Sequence, residues 1–167
     1  MQEAYQEILQ SKENLDTAKI KIARKYHLKK LPKNIELNLE NPKFDLKTKW
    51  YDLQSPKDIS EFLKDTTSIV NTFGPEGFIV VGFDEKKKEF IPASFKDCKL
   101  KDSSHIIDLI NGKVDRLFVL NTYDLIIKGN CLSVIHIPLS IDKPHLIKKY
   151  ITYDSDGKVK KEEDNKI

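Results

Sequence analysis

Four side chains in the first half of the chain, Glu40, Asp45, Lys47 and Asp84, are of types that could act on a phosphodiester. Glu40 precedes Asp45 by five residues, and Asp45, Leu46 and Lys47 form an Asp-x-Lys tripeptide. Carboxylates are hard oxygen donors, so three of them facing one cleft would suit Mg²⁺ or Mn²⁺. Such an ion would orient a water, lower its pKa and offset charge building on the phosphate, with Lys47 adding to that stabilisation. Each residue also has a plainer role open to it. Asp84 can form a turn, Glu40 with Pro42 can initiate a strand, and Asp45 with Lys47 or Lys49 can be an exposed same-face ion pair.

A second group of residues is suited to binding rather than cleaving. Between Lys19 and Lys33 stand seven cations, Lys19, Lys21, Arg24, Lys25, Lys29, Lys30 and Lys33, with no acid among them. They fit a phosphate-binding arm as well as a solvated helix face. Lys49, Lys148 and Lys149 are further candidates for phosphate contact, and His145, between Pro144 and that Lys pair, is the one histidine placed to join them. His105 and His136, in a helical and an apolar strand-like segment, read as structural.

The elements that must hold these groups are legible in outline. Residues 3 to 28 lack Gly and Pro and repeat apolar positions at helical steps, so 1–34 is expected as a basic helical extension. Phe44, Leu46 and Trp50 alternate imperfectly with charged residues, as a strand with one apolar face would. Ser55 and Pro56 predict a helix start, with Ile59, Phe62, Leu63, Thr66, Ile69 and Val70 on its buried side. Gly74 to Gly77 reads as a turn, and Phe78 to Val81 as a central strand buried on both faces and ended by Gly82. Ser103 or Ser104 caps a second helix to about residue 112. Leu117 to Ile127 and Cys131 to Leu139 flank Lys128-Gly129-Asn130 as a hairpin. After Tyr153 the chain has almost no apolar content, so 154–167 is expected as a charged tail, the stub of a longer chain.

Taken in order, these motifs resemble the AlbA_2 domain of Schlafen proteins, a family of DNA- or RNA-binding domains, over roughly residues 36 to 153. That family has a strand of pattern E-x-x-x-x-E-F-K, a helix ending in Asn-Thr, a Gly-Gly turn and an apolar strand running into Gly-Val-Asp. Glu40, Asp45 and Lys47 match the first pattern; Asn71, Thr72, Gly74 and Gly77 the second; Gly82 and Asp84 the third. Val134 to Ser140 with Lys143, Pro144 and His145 is similar to a later strand and turn. The departures are Asp45 in place of Glu, Pro75-Glu76 between the two glycines, and no aromatic-x-Arg-x-Gly-Ser ending. The resemblance implies that Asp84 comes beside Glu40 and Asp45, and that these three, with Lys47, are the catalytic and Mg²⁺- or Mn²⁺-binding set of an endonuclease acting on RNA sooner than DNA. It assigns Asn71, Thr72, Gly74, Gly77 and Gly82 to the structural frame. Residues 20 to 36 also resemble the basic helix-to-Pro segment near the start of Elongator-type catalytic subunits, associated there with tRNA, without their radical-SAM cysteines.

With 167 residues, 39% hydrophobic and 33% charged, one α+β domain is expected: a mixed, largely antiparallel sheet spanning 35–153, packed by two helices. No apolar run reaches membrane-spanning length. Cys98 and Cys131 lack zinc-ligand or disulfide spacing, and the start lacks a secretory signal, so a reduced cytoplasmic protein is expected. Gly74-x-x-Gly77 lacks the Gly-Lys-Ser/Thr of a P-loop, so ATP hydrolysis is not expected and ATP binding has only family labels behind it. Asp45-Leu46-Lys47 lacks the upstream Pro-Asp of restriction-type nucleases. The expected partner is RNA or DNA and no membrane, with a homodimer and a fused effector after Ile167 as further expectations. The alternative function is a non-catalytic regulatory or oligomerisation module.

Overall fold

The computed structural model describes residues 42–166 apart from 75, 88, 101 and 128. The expected extension 1–34, with its seven cations, and Glu40 lie outside the described residues.

The chain folds as an α+β domain around a four-stranded mixed sheet of order β1-β2-β6-β5, formed by β1 (Phe44–Lys47), β2 (Gly77–Val81), β5 (Asn121–Ile127) and β6 (Asn130–Ile137). β1 runs parallel to β2, from Phe44 opposite Phe78 to Lys47 opposite Val81. A parallel pair needs a crossover, and α1 (Pro56–Asn71) supplies it. β6 pairs antiparallel with both β2 and β5. Short β3 (Phe83–Asp84) and β4 (Glu89–Phe90) form a hairpin beyond Gly82.

Burial follows the pleat. Ile79 and Val81 join Ile135 and Ile137 in the larger core with Phe62, Leu63, Ile69 and Val70 of α1 and Ile106 and Ile110 of α2 (Ser104–Asn111). Phe78 and Val80 face the other way with Leu46, Phe83, Leu132 and Val134. The central strand is thus buried on both faces, which explains why its sequence is apolar without alternation. Apolar area on each face supplies the stabilisation, about 1.5–3 kcal/mol for each large side chain removed from water.

Three details differ from expectation. β5 begins at Asn121, not Leu117: Phe118 and Leu120 are buried and Val119 exposed, so the alternation is real, but the ladder with β6 starts at Asn121 opposite His136, one residue before β6 ends at Ile137. Ser55 caps α1 without a side-chain hydrogen bond. The 154–167 tail, expected to have nothing to fold around, contains β8 (Val159–Lys166), paired antiparallel with β7 (Ile147–Tyr153). Its order comes from turn chemistry and backbone pairing instead of apolar burial. Asp154 Oδ1 accepts the N–H groups of Asp156 and Lys158 at 2.9 and 2.8 Å, Gly157 takes φ +77°, and Lys149 reaches Glu162 across the strands at 2.8 Å.

Candidate functional site

The parallel strand β1 sets Asp45 and Lys47 on one side of the backbone, since side chains two apart share a face. Lys47 Nζ lies 3.0 Å from Asp45 Oδ2 and 2.8 Å from Asp65 Oδ2, which α1 brings across the sheet edge. Tyr51 donates its hydroxyl to the same Asp65 oxygen at 2.7 Å, and Lys64, itself paired with Glu61, stands 3.8 Å from Asp65 Oδ1. Burial pulls the Lys47 ammonium down, but its hydrogen bonds and ion pairs with Asp65 and Asp45 outweigh it, and the pKa is raised. The Tyr51 phenol is pushed well up, by burial first and then by Asp65. Lys47 is therefore a counter-ion held between two carboxylates. Asp65 and Tyr51 had no sequence signal, because their role arises only when α1 crosses over β1.

Asp84 sits at the end of β3, where its Oδ1 accepts the N–H groups of Lys86 and Lys87 at 2.9 and 3.1 Å. It is a turn former. Asp45 Oδ1 in turn accepts the Leu46 N–H at 2.8 Å, so among the described residues the two carboxylates bond different groups. Among the described residues no group of three or more His, Cys, Asp or Glu is arranged to hold a metal ion. Glu40, the third member of the expected Mg²⁺- or Mn²⁺-binding set, lies outside the described residues.

The second polar centre lies at the C-terminal end of α1. Asn71 makes a reciprocal pair with the His145 backbone: its Nδ2 donates to the His145 carbonyl and its Oδ1 accepts the His145 N–H, both at 2.8 Å. The imidazole is fully buried, with Nδ1 2.9 Å from the Arg116 carbonyl, Nε2 2.7 Å from Ser140 Oγ, and its ring edge-on to Phe118. This corrects the phosphate-contact role expected of His145: both nitrogens are engaged and no atom reaches solvent. Thr72 donates its backbone N–H and its Oγ1 to the Ser68 carbonyl, at 3.1 and 2.8 Å.

Two lysines cover the last carbonyls of this helix. Lys43 Nζ donates to Ile69 O at 2.8 Å and Lys143 Nζ to Thr72 O at 2.7 Å, where the negative end of the helix dipole favours cations. Burial, helped by the nearby Lys143 charge, lowers the Lys43 pKa to about 8. Gly74 and Gly77 bracket the following turn, and at Gly77 a Cβ would meet Ile69 Cγ2 at 2.1 Å, so only glycine lets β2 start against α1. The turn leads from a helix into a strand, the reverse of the strand-to-helix geometry by which a P-loop presents N–H groups to phosphate.

Of the other expected phosphate contacts, Lys49 and Lys148 are exposed, whereas Lys149 is paired with Glu162. The Lys148 N–H donates to Lys113 O at 2.9 Å, which brings a further exposed lysine alongside it.

Two outcomes follow from this geometry. Lys47→Met should leave Asp45 without its cation and the half-buried Asp65 with only the more distant Lys64, costing about 1–3 kcal/mol in urea unfolding, and adding Asp65→Asn should restore part of it. His136, buried and stacked on Phe78, has its pKa lowered by burial, against the opposing pull of Glu76 3.2 Å away. A histidine lowered on folding binds fewer protons folded than unfolded. Stability should therefore be greatest above the unfolded value near 6.5 and fall as pH drops towards the lowered value. Urea titrations between pH 5 and 8 check this, and His136→Gln should flatten the slope.

The fold defines the chain as an α+β domain with a crossover helix between parallel strands. No family model matches it, and no curated protein does. Among solved structures it is similar to the DIP2311 protein of Corynebacterium diphtheriae, at 14% identity and TM-score 0.42, over 71% of this chain and 20% of that one. It is also similar to the N-terminal domain of a RecG-related protein of Nitrosomonas europaea, named for its relation to an ATP-dependent DNA helicase, at 16% identity and TM-score 0.44, over 65% of this chain and 72% of that one. The chain spans a fifth of the length of the first of these.

Proposed function

We propose that the chain is a nucleic-acid-binding domain that contacts the phosphate backbone of RNA or DNA, as its resemblance to Schlafen-type AlbA_2 domains implies. One observation carries this reading: of the 29 Lys and Arg, seven fall between Lys19 and Lys33 without an acid, so the remaining residues hold 22 cations against all 26 acids. Charge so segregated makes one basic segment on an otherwise slightly acidic chain, which favours a polyanion docking there. Exposed Lys49, Lys113 and Lys148 extend the basic character onto the folded body.

Binding without cleavage is the form of this function that the acidic residues favour. Asp45 is paired with Lys47 and bonds the Leu46 N–H, and Asp84 Oδ1 accepts two turn amides, so an ion pair and a turn account for both carboxylates without a metal. The test is fluorescence anisotropy with single- and double-stranded RNA and DNA across a salt series, repeated with Mg²⁺ and Mn²⁺. Binding that weakens steeply with salt, with the oligonucleotide intact, is expected. No binding at low salt overturns the function, and metal-dependent cutting abolished by Glu40→Ala overturns the non-cleaving form.

A further inference from the structure

The residue directly after the cap of α1, Phe73, is 96% exposed, the most exposed large apolar side chain among the described residues. Its surroundings are not loose. The preceding Thr72 is tied to Ser68 by backbone and side chain, its carbonyl accepts Lys143 Nζ, and Asn71 is locked to the His145 backbone. An aromatic ring is thus held in water by a rigid base. Lys143 Nζ also stands 5.8 Å from the centre of that ring, and among the described residues its hydrogen bond to the Thr72 carbonyl uses one of three N–H groups. Lys43 reaches the same helix end but is buried with its ammonium on the Ile69 carbonyl, so Lys143 is the cation that gives the ring its positive border. Ile141, two residues before Lys143, is 91% exposed and adds apolar surface to that loop.

A flat apolar ring beside a cation matches one ligand chemistry closely, a base carried on a phosphodiester. Single-strand binders combine aromatic platforms with cations that track the backbone, and stacking tolerates every base because each has a π-face. Paired bases are stacked on one another and closed to such a platform. We propose that Phe73 is a stacking platform for an unpaired base of a single-stranded nucleic acid, with Lys143 meeting the adjoining phosphate. The inference rests on the nucleic-acid reading above and adds to it a place on the folded body and a preference for single strands. A protein partner with an apolar segment, or a second copy of this chain, is the competing occupant, and the positive border argues against both, since neither need carry negative charge.

The experiment compares the full chain with Phe73→Ala, Phe73→Tyr and Lys143→Gln, using fluorescent single strands of RNA and DNA and duplexes of the same length. Phe73→Ala should weaken single-strand binding about tenfold or more with an unchanged salt slope, while Phe73→Tyr retains it and duplex binding is unaffected. Lys143→Gln should lower the salt slope by about 0.7. Ultraviolet crosslinking to a uracil strand should place the adduct on the peptide containing Phe73. Single-strand binding equal to wild type in Phe73→Ala overturns the platform and leaves the nucleic-acid function standing; a wild-type chain that binds neither form at low salt removes both. Sedimentation that shows Phe73→Ala abolishing self-association, with single-strand affinity intact, assigns the ring to contact between copies.

Discussion

Replacing Lys19, Lys21, Arg24, Lys25, Lys29, Lys30 and Lys33 together with glutamine should lower affinity for RNA and DNA by at least about a hundredfold at moderate salt. Each phosphate neutralised by a cation releases condensed counterions, so log K falls with log salt by about 0.7 per contact on single strands and about 0.9 on B-DNA. If all seven engage, they contribute a slope of about −5 to −6, most of which the glutamine variant loses. The substitution also takes the chain from a net charge of +3 to −4, so long-range attraction becomes weak repulsion. A melting temperature measured beside the affinity separates lost contact from lost folding. An unchanged salt slope would place the phosphate contacts on the folded body instead, with Lys49, Lys113, Lys143 and Lys148 the next residues to neutralise.

How far the chain could be read from its residues depended on whether the signal was local. Helix α1 was legible from Ser55-Pro56 at its start and from the spacing of Phe62, Leu63, Thr66, Ile69 and Val70, because capping and periodicity are properties of adjacent residues. The central strand and the β5–β6 hairpin were equally plain. The β8 strand was missed because a search for apolar content cannot see a strand ordered by an Asp-Ser-Asp-Gly turn and cross-strand pairing. At the site, residue type was legible and partnership was not. The Asp45–Lys47 pair was readable from alternation alone, but the second carboxylate on Lys47, Asp65, comes from a helix eighteen residues away and meets it only through the crossover. His145 reads as a phosphate contact from its Pro and Lys neighbours, and Asn71, Ser140 and Arg116 engage it inside the domain through contacts that span up to 74 residues. Asn71, Gly77 and Gly82, named from the motif order, occupy positions where amide bonding or the absence of a side chain has a visible geometric reason.

Gly82→Ala should be among the most destabilising single substitutions in the domain, by about 3–5 kcal/mol. Gly82 ends β2 at φ +109°, where β2 gives way to the β3–β4 hairpin, and a side chain there strains the backbone by about 1–3 kcal/mol. Space is the second cost. A Cβ would lie 2.6 Å from the Ile91 carbonyl oxygen, 2.8 Å from Leu132 Cδ2 and 3.3 Å from Ala93 Cβ. The first of these is backbone, and it is fixed: Ile91 N–H donates to Gly82 O at 2.8 Å while Gly82 N–H donates to Lys47 O at 2.7 Å, so moving away breaks a bond on one side or the other. Overpacking of this kind adds about 1–3 kcal/mol, and the sum is a large share of the 5–15 kcal/mol by which domains are ordinarily stable. At roughly 4 °C per kcal/mol the melting temperature should fall by about 10–20 °C. Gly129→Ala is the control, because Gly129 has φ +80° in the β5–β6 turn and nothing within 4 Å of a built Cβ, so it carries only the backbone cost, about 1 kcal/mol. Thermal unfolding followed by circular dichroism should separate the two variants by at least about 8 °C. Equal shifts would mean that the backbone at Ile91, just past β4, yields freely, and the clamp that holds β3 against β1 would then have no energetic weight.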